Sequence, residues 1–367
     1  MGASRNGSAR RSPDSAPLRH GGRFAAGDGP FAALDLGTNN CRLLVATVID
    51  GDLRVLDAFS RIVRLGAGLA ETGCLSEAAM DRTLDALRVC ARKVRRWHVA
   101  ALRCVATEAC RRASNAQEFL ERVERETGLA LEIVSPDEEA FLALAGCAPL
   151  LEASDPAVAN ALVFDIGGGS TEVTWLALEA GQRPRVVDWL SMPVGVVSLA
   201  ERHGGDQIPQ DVYAAMVEET SDGLAGFEAR HGIAGAVAEG HVQMLGSSGT
   251  VTTLAGIHLD LPRYNRAAVD GTTLERERVL EISHALADMD WAGRAAIPCV
   301  GPERADLVVA GCAILEAIQV LWPVDRLRVA DRGVREGILF DLAGLSHRMP
   351  ARLAPSGDGR VAPHAAE

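Results

Sequence analysis

Two periods of apolar residues run through this chain. Phe31 to Gly51 reads as strand, polar turn, strand, turn: Phe31-Ala-Ala-Leu34 is apolar, Asp35-Leu-Gly37-Thr38-Asn39-Asn40 breaks the run, and apolar residues resume after Arg42. Asp50-Gly51 is a hairpin signal, and Leu53 to Phe59 supplies a third strand. The period then changes. Met80, Leu84, Leu87, Ala91 and Val94 recur at helical spacing behind Ser76, the expected N-cap, and the basic end Arg92 to Arg96 suits a helix C-terminus. Ala101 to Ala106 returns to strand, Ala116 to Thr127 to helix, and Leu131 to Val134 is a short strand.

Ser135-Pro136-Asp137-Glu138 is a capping box with proline at the first helical position. It gives Glu138 a structural task and leaves Glu139, about 100° further round the helix, free for another. Leu162 to Phe164 is an apolar strand running into Asp165-Ile-Gly167-Gly168-Gly169-Ser170-Thr171-Glu172. Glu172 to Leu178 and Val186 to Leu190 read as strands, Gln210 to Glu228 as an amphipathic helix, and Met244 to Thr253 as a strand entering a glycine turn. Asp306 to Trp322 is apolar almost all round and is expected as a buried helix stopped by Pro323. Leu327 to Ala330 gives a last strand, and a closing helix runs from Asp331-Arg-Gly333 to about Leu345.

Composition adds boundaries to that pattern. The 367 residues are 48% hydrophobic and 23% charged, enough for two domains of an ordinary soluble protein. No apolar run reaches the roughly 18 residues of a membrane span. The net charge of −12 offers no global field for nucleic acid. The eight cysteines form no C-x-x-C and mostly sit in apolar runs, as free thiols of a reducing cytoplasm would. Residues 1–29 and 348–367 read as disordered tails.

The chemistry concentrates where strands end. Glycine admits close backbone approach to an anion, and runs of N–H groups at a helix start attract phosphate. Asp165 and Glu172 carry oxygens suited to a hard cation such as Mg²⁺. Ala33-Leu-Asp35-Leu-Gly37-Thr38 resembles Val163-Phe-Asp165-Ile-Gly167-Gly168, a weak internal repeat whose aspartates stand 130 positions apart. Two like lobes would set two phosphate turns across one cleft. Arg111, near the end of Ala101 to Ala106, is either a bidentate phosphate clamp or half of a charge pair.

Asp35-Leu-Gly-Thr-Asn39, Asp165-Ile-Gly-Gly-Gly-Ser-Thr-Glu172, Gly246-Ser-Ser-Gly-Thr250 and Asp331-Arg-Gly-Val-Arg-Glu-Gly337 stand in one order. Over about residues 31 to 345 the chain resembles the exopolyphosphatase and guanosine pentaphosphate phosphatase family. The resemblance implies an α/β fold of two ribonuclease-H-like lobes of the actin, Hsp70 and sugar kinase superfamily around a central cleft. Residues 30–135 with 325–347 would form one lobe and 136–324 the other. It implies the short form, without the C-terminal HD-type domain of longer members.

The same resemblance makes Glu139 the catalytic glutamate and Asp165 and Glu172 the metal-organising acids. Asp35, Gly37, Thr38, Asn39, Arg111, Gly168, Gly169, Ser170, Gly246, Ser247, Ser248 and Gly249 become phosphate-binding. Asn40 departs from the small hydroxyl residue common after the first Asn. The implied activity releases orthophosphate from the end of inorganic polyphosphate, with guanosine pentaphosphate as the alternative substrate and a nucleotide-dependent ATPase or kinase as the remoter one. Mg²⁺ or another divalent cation would be the cofactor, and a homodimer the assembly. A polyanionic substrate and a negative protein require local positive charge, for which Arg61, Arg64, Arg111, Arg112 and the Arg92 to Arg96 cluster are candidates at the cleft mouth.

Overall fold

A computed structural model describes residues 29–151, 158–345, 347, 349 and 350. The expected tails, 1–29 and 348–367, lie almost wholly outside the described residues. Two sheets carry the fold. The first contains β1 (Phe31–Leu36), β2 (Asn40–Ile49), β3 (Asp52–Ile62), β4 (Ala101–Ala106) and β5 (Glu132–Ile133), in the order β3-β2-β1-β4-β5. The second contains β6 (Asn160–Ile166), β7 (Thr171–Ala177), β8 (Arg185–Met192), β9 (Val242–Ser247), β10 (Thr273–Glu275) and β11 (Arg326–Ala330), ordered β10-β11-β9-β6-β7-β8.

Both sheets share one plan. An antiparallel meander of three strands opens each, and the next strand joins the first in parallel: β4 beside β1, β9 beside β6. The weak repeat in the sequence is therefore a repeat of structure. In β1/β2 Asp35 sits opposite Arg42; in β6/β7 Asp165 sits opposite Glu172. The equivalent cross-strand place holds a cation in one lobe and a carboxylate in the other.

The helix Glu77–Trp97 starts at Ser76, whose side chain accepts from the Ala79 N–H, and buries Met80, Leu84, Leu87, Ala91 and Val94 against the first sheet as its spacing predicts. In the second lobe Val308–Leu321 is buried along nearly its whole length, inside a core with Phe164, Phe227 and Trp322. Among the described residues no helix is long and apolar enough to cross a membrane.

The lobe boundary differs from the sequence expectation. β11, placed with the first lobe in that reading, pairs with β9 and β10 of the second sheet, and only the helix Val334–Leu342 returns to the first. The helix Pro136–Cys147, assigned to the second lobe, packs with it: Leu142, Ala143 and Ala145 share a core with Phe31, Ala33, Val105, Ile338 and Leu339. The opposite side of the same helix, through Leu144 and Cys147, meets Ala161, Val163 and Leu176 of the second sheet. A helix buried on two sides has no polar stripe, so periodicity could not assign it to either lobe.

Backbone contact locks this pair of crossing segments. A Cβ on Gly146 would lie 2.1 Å from the Gly333 carbonyl oxygen, and one on Gly337 would lie 2.1 Å from that of Leu142. Only glycine permits such approach.

Candidate active site

The ends of β1, β6 and β9 open into one cavity between the lobes. Asp35, Gly37, Thr38 and Asn39 line it from the first lobe; Asp165, Gly168, Gly169, Ser170, Glu172, Ser248 and Gly249 line it from the second; Glu139 reaches it from the helix that belongs to both. The two glycine turns touch. A Cβ on Gly168 would sit 3.0 Å from Thr38 Cβ and 3.2 Å from the Asn39 nitrogen, and one on Gly169 would sit 2.8 Å from Thr38 Oγ1.

The triglycine turn is anchored from behind. Gly167 N–H donates to the Ser170 carbonyl at 2.9 Å, while the carbonyls of Gly167 and Gly168 accept from Val196 and Val197 at the start of the helix Val196–His203. The turn thus spends its carbonyls on protein. Its donors are left for the cavity: among the described residues the N–H groups of Thr38, Gly168 and Gly169 make no hydrogen bond. Such an arrangement of unpaired backbone donors is an anion cradle.

Two of the expected phosphate residues lie elsewhere. β9 runs through Gly246 and Ser247 directly into the helix Ser248–His258, with no intervening loop. Gly246 is glycine because a Cβ there would lie 2.5 Å from the Phe164 ring. Ser247 Oγ donates to the Arg332 carbonyl at 2.8 Å, fastening β9 to the segment after β11. Ser248 and Gly249 do reach the cavity, at a helix start where unpaired donors favour anions. Ser248 holds φ 95, rare for a residue with a side chain, and its buried Oγ has no partner. Asn39 Oδ1 is likewise buried without a partner.

Arg111 is the second correction. It does not line the cavity. Its guanidinium donates to Glu139 Oε2 at 2.6 Å, to Glu108 at 2.9 Å and to the Val134 carbonyl at 2.9 Å. The charge-pair alternative left open by the sequence is therefore the one present, with Glu139 and Glu108 as partners. Glu138 also departs in part from expectation: Ser135 accepts from its N–H, yet its carboxylate pairs with Arg103 instead of turning back to complete a capping box. Glu139 remains free of that task, as the sequence argument required.

Crowded carboxylates set the electrostatics of the cavity. Burial raises Glu139 to about 7, against the pull of Arg111 and with Asp35 and Asp165 pushing the same way. Burial raises Asp165 to about 6, with Arg42 opposing and Asp35 adding. Burial also raises Asp35, opposed by Arg42 and Arg335, and raises Glu172, reinforced by Glu139 and Asp165. Ser170 and Ser191 hydroxyls donate to Glu172 Oε1 at 2.6 and 2.9 Å and fix its carboxylate beside Asp165. Four buried carboxylates crowd one space, and a bound cation would relieve them.

Among the described residues no three acid, histidine or thiol groups converge as a complete cation cage. This donor set fits Mg²⁺, which is usually held by one or two carboxylates with water and substrate phosphate completing its shell.

Two cations escaped the sequence reading. Arg42 lines the cavity opposite Asp35. Arg304 lines it from the turn before Val308–Leu321, and its Nη1 donates to Thr253 Oγ1 at 3.1 Å. Burial and the facing Arg42 both disfavour the Arg304 charge. Among the described residues neither guanidinium has an ion-pair partner within 4.0 Å. The repeat could have exposed Arg42, which follows Asp35 at the interval separating Glu172 from Asp165. No local signal marks Arg304.

The other basic candidates do not line this cavity, although Arg64 and Asp306 line a second one that shares Asn39 and Leu307 with it, and Arg112 faces the lining residue Glu108. Arg61 lies over the Phe59 ring, Arg64 pairs with Asp306, Arg112 stands 4.0 Å from Glu108, Lys93 pairs with Asp57, and Arg95 donates to the Thr127 carbonyl.

Comparison with known proteins gives the family. The model of the Ppx/GppA phosphatase family matches residues 44–346. A curated relative from Mycobacterium tuberculosis, exopolyphosphatase 2, is 31% identical over 328 residues, covering 85% of this chain and 98% of the relative. Guanosine-5'-triphosphate,3'-diphosphate pyrophosphatase of Aeromonas salmonicida is 30% identical over 328 residues; the match covers 88% of this chain but only 61% of that longer protein. The crystal structure of the Aquifex aeolicus Ppx/GppA member superposes with a TM-score of 0.68 at 29% identity, covering 85% of this chain and 96% of the other. With its motifs converging on one interlobe cavity, the chain belongs to the Ppx/GppA phosphatase family.

Proposed function

We propose that this protein hydrolyses the terminal phosphoanhydride of inorganic polyphosphate, releasing orthophosphate. The observation that carries the reading is the placement of Glu139: a buried carboxylate at the cavity wall, oriented by Arg111 and facing the glycine turns of both lobes. A base that titrates near neutral pH suits proton abstraction from water.

In this scheme the terminal phosphoryl group lies between the turns. The N–H groups of Thr38, Gly168 and Gly169 and of the start of Ser248–His258 donate to its oxygens, and Arg42 and Arg304 flank it. Glu139 takes a proton from water as the water oxygen bonds to phosphorus. The bond from phosphorus to the bridging oxygen breaks, and that oxygen leaves as the new end of the shortened chain. Bound Mg²⁺ near Asp165 and Glu172 would neutralise charge on the transferring group and the leaving oxygen. The chain's own contribution is orientation: contact between the turns, the Ser170 and Ser191 hydroxyls on Glu172, and Arg111 on Glu139.

Glu139→Gln tests the assignment. It should fold, bind tripolyphosphate and lose turnover by roughly 10² or more, the usual scale for a general base. Phosphate release from polyphosphate at the wild-type rate would remove Glu139 from the mechanism.

One observation favours a second substrate, guanosine pentaphosphate. A cavity of about 370 Å³ adjoins the site, sharing Asn39 and Leu307 with it and walled by Ala67, Val197, Ala200 and Trp291. It offers room for a base beside the phosphate turns. Initial rates on long polyphosphate, tripolyphosphate and guanosine pentaphosphate, with Mg²⁺ present or chelated, separate the two substrates.

A further inference from the structure

Arg64 is held at both ends. Its backbone has φ 49, a left-handed conformation rare outside glycine. Its N–H and that of Val63 both donate to the Asn39 carbonyl, at 3.0 and 2.8 Å, so the strained residue is clipped to the first-lobe phosphate turn. Gly66 N–H adds a bond to the Thr38 carbonyl at 2.9 Å. From the helix behind, Arg82 donates to the carbonyls of Val63 and Arg64.

The side chain then crosses to the second lobe. Nη1 meets Asp306 Oδ2 at 2.8 Å, and Nη2 donates to Asp306 Oδ1 at 3.1 Å and to the Glu303 carbonyl at 3.2 Å. These acceptors lie on either side of Arg304, whose Nη1 donates to Thr253 Oγ1. A second cross-lobe bond, from Gly68 N–H to Glu201 Oε1 at 2.9 Å, runs parallel to the first.

We infer that the Arg64–Asp306 pair is a lobe-closing strap that sets Arg304 against the first-lobe phosphate turn, making Arg64 a positioning residue. The inference rests on the phosphate-binding reading of the cavity. Bidentate Arg–carboxylate geometry fixes direction as well as distance. At 40% and 37% side-chain exposure the pair contributes little to stability, so its role is geometric. Arg304 bears a charge that burial and Arg42 both oppose. Arg64 holds the turn that carries Arg304 from both flanks, through the Glu303 carbonyl and the Asp306 carboxylate.

The test separates acting through Arg304 from touching substrate. In the Glu139→Gln background, tripolyphosphate affinity is measured by calorimetry with and without Arg64→Ala, Asp306→Asn and Arg304→Ala. Arg64→Ala and Asp306→Asn should each weaken binding on the order of 10-fold, inside the range that small misplacements cost. Each should add almost nothing once Arg304 is alanine. With Glu139 intact, kcat/KM should fall by equal factors on tripolyphosphate and on long polyphosphate. A full additional loss in the Arg304→Ala background, no loss of binding, or a loss confined to long chains would overturn the strap. Because the binding arm needs no turnover, absence of polyphosphatase activity would refute the proposed reaction without deciding this result.

Discussion

Replacing Arg111 by methionine tests the electrostatic design of the site. The guanidinium contacts Glu139 and Glu108 with both members of the Glu139 pair 13% exposed, so the interaction is screened by little water. Unit charges about 4 Å apart interact by roughly 4 kcal/mol at an effective dielectric near 20, or about 3 pH units. An arginine beside a carboxylate typically shifts it by about one to three pH units. Arg111 favours the ionised carboxylate; removing it raises a group already pushed to about 7. The acidic limb of the pH–rate profile should therefore move to higher pH.

Stability should follow. Breaking a buried pair costs about 3–5 kcal/mol while the stranded partner stays charged. Protonated Glu139 escapes that cost, so the destabilisation should be larger at about pH 8 than at about pH 6. Urea unfolding at both pH values, together with the rate profile, measures the two effects. An unmoved acidic limb with equal destabilisation at both pH values would refute this role for Arg111.

Three further outcomes are expected. Glu139 and Asp165, raised to about 7 and 6, contribute stability that is present at low pH and lost as pH rises through those values; Mg²⁺ should therefore raise the melting temperature more at about pH 8 than at about pH 5, and Asp165→Asn should reduce that gain. Gly146→Ala places a methyl against the Gly333 carbonyl and should destabilise by roughly 1–3 kcal/mol or more in thermal unfolding, since backbone cannot rotate away. Arg304→Ala should raise KM for every polyphosphate length more than it lowers kcat, read from initial-rate curves.

Much of the architecture was legible because local physics wrote it. Period-2 and period-3.6 apolar spacing located the helix Ala116–Thr127, strand β4 and the buried Val308–Leu321, since each element buries one face or all of itself. The strand-to-glycine turns were legible because the anion cradle needs glycine backbone, whatever the partner lobe does. Glu139 was legible as free of a helix-start task because Ser135 takes the Glu138 N–H, although the Glu138 carboxylate met Arg103 rather than its own helix.

Tertiary structure decided what depends on residues far apart in the chain. β11 joined the second sheet because pairing with β9 is a long-range choice that the strand's own residues do not encode. Gly246 and Ser247 looked like a phosphate turn, but the Phe164 ring and the Arg332 carbonyl claimed them. Arg111 met Glu139 and Glu108 as a charge pair, where its own stretch of sequence does not decide between that and a phosphate clamp. Arg304 reached the site from a turn with no motif, whose flanking Glu303 and Asp306 meet Arg64 across the cleft. A side chain's chemistry is set by its sequence, but its partner is set by which lobe closes over it.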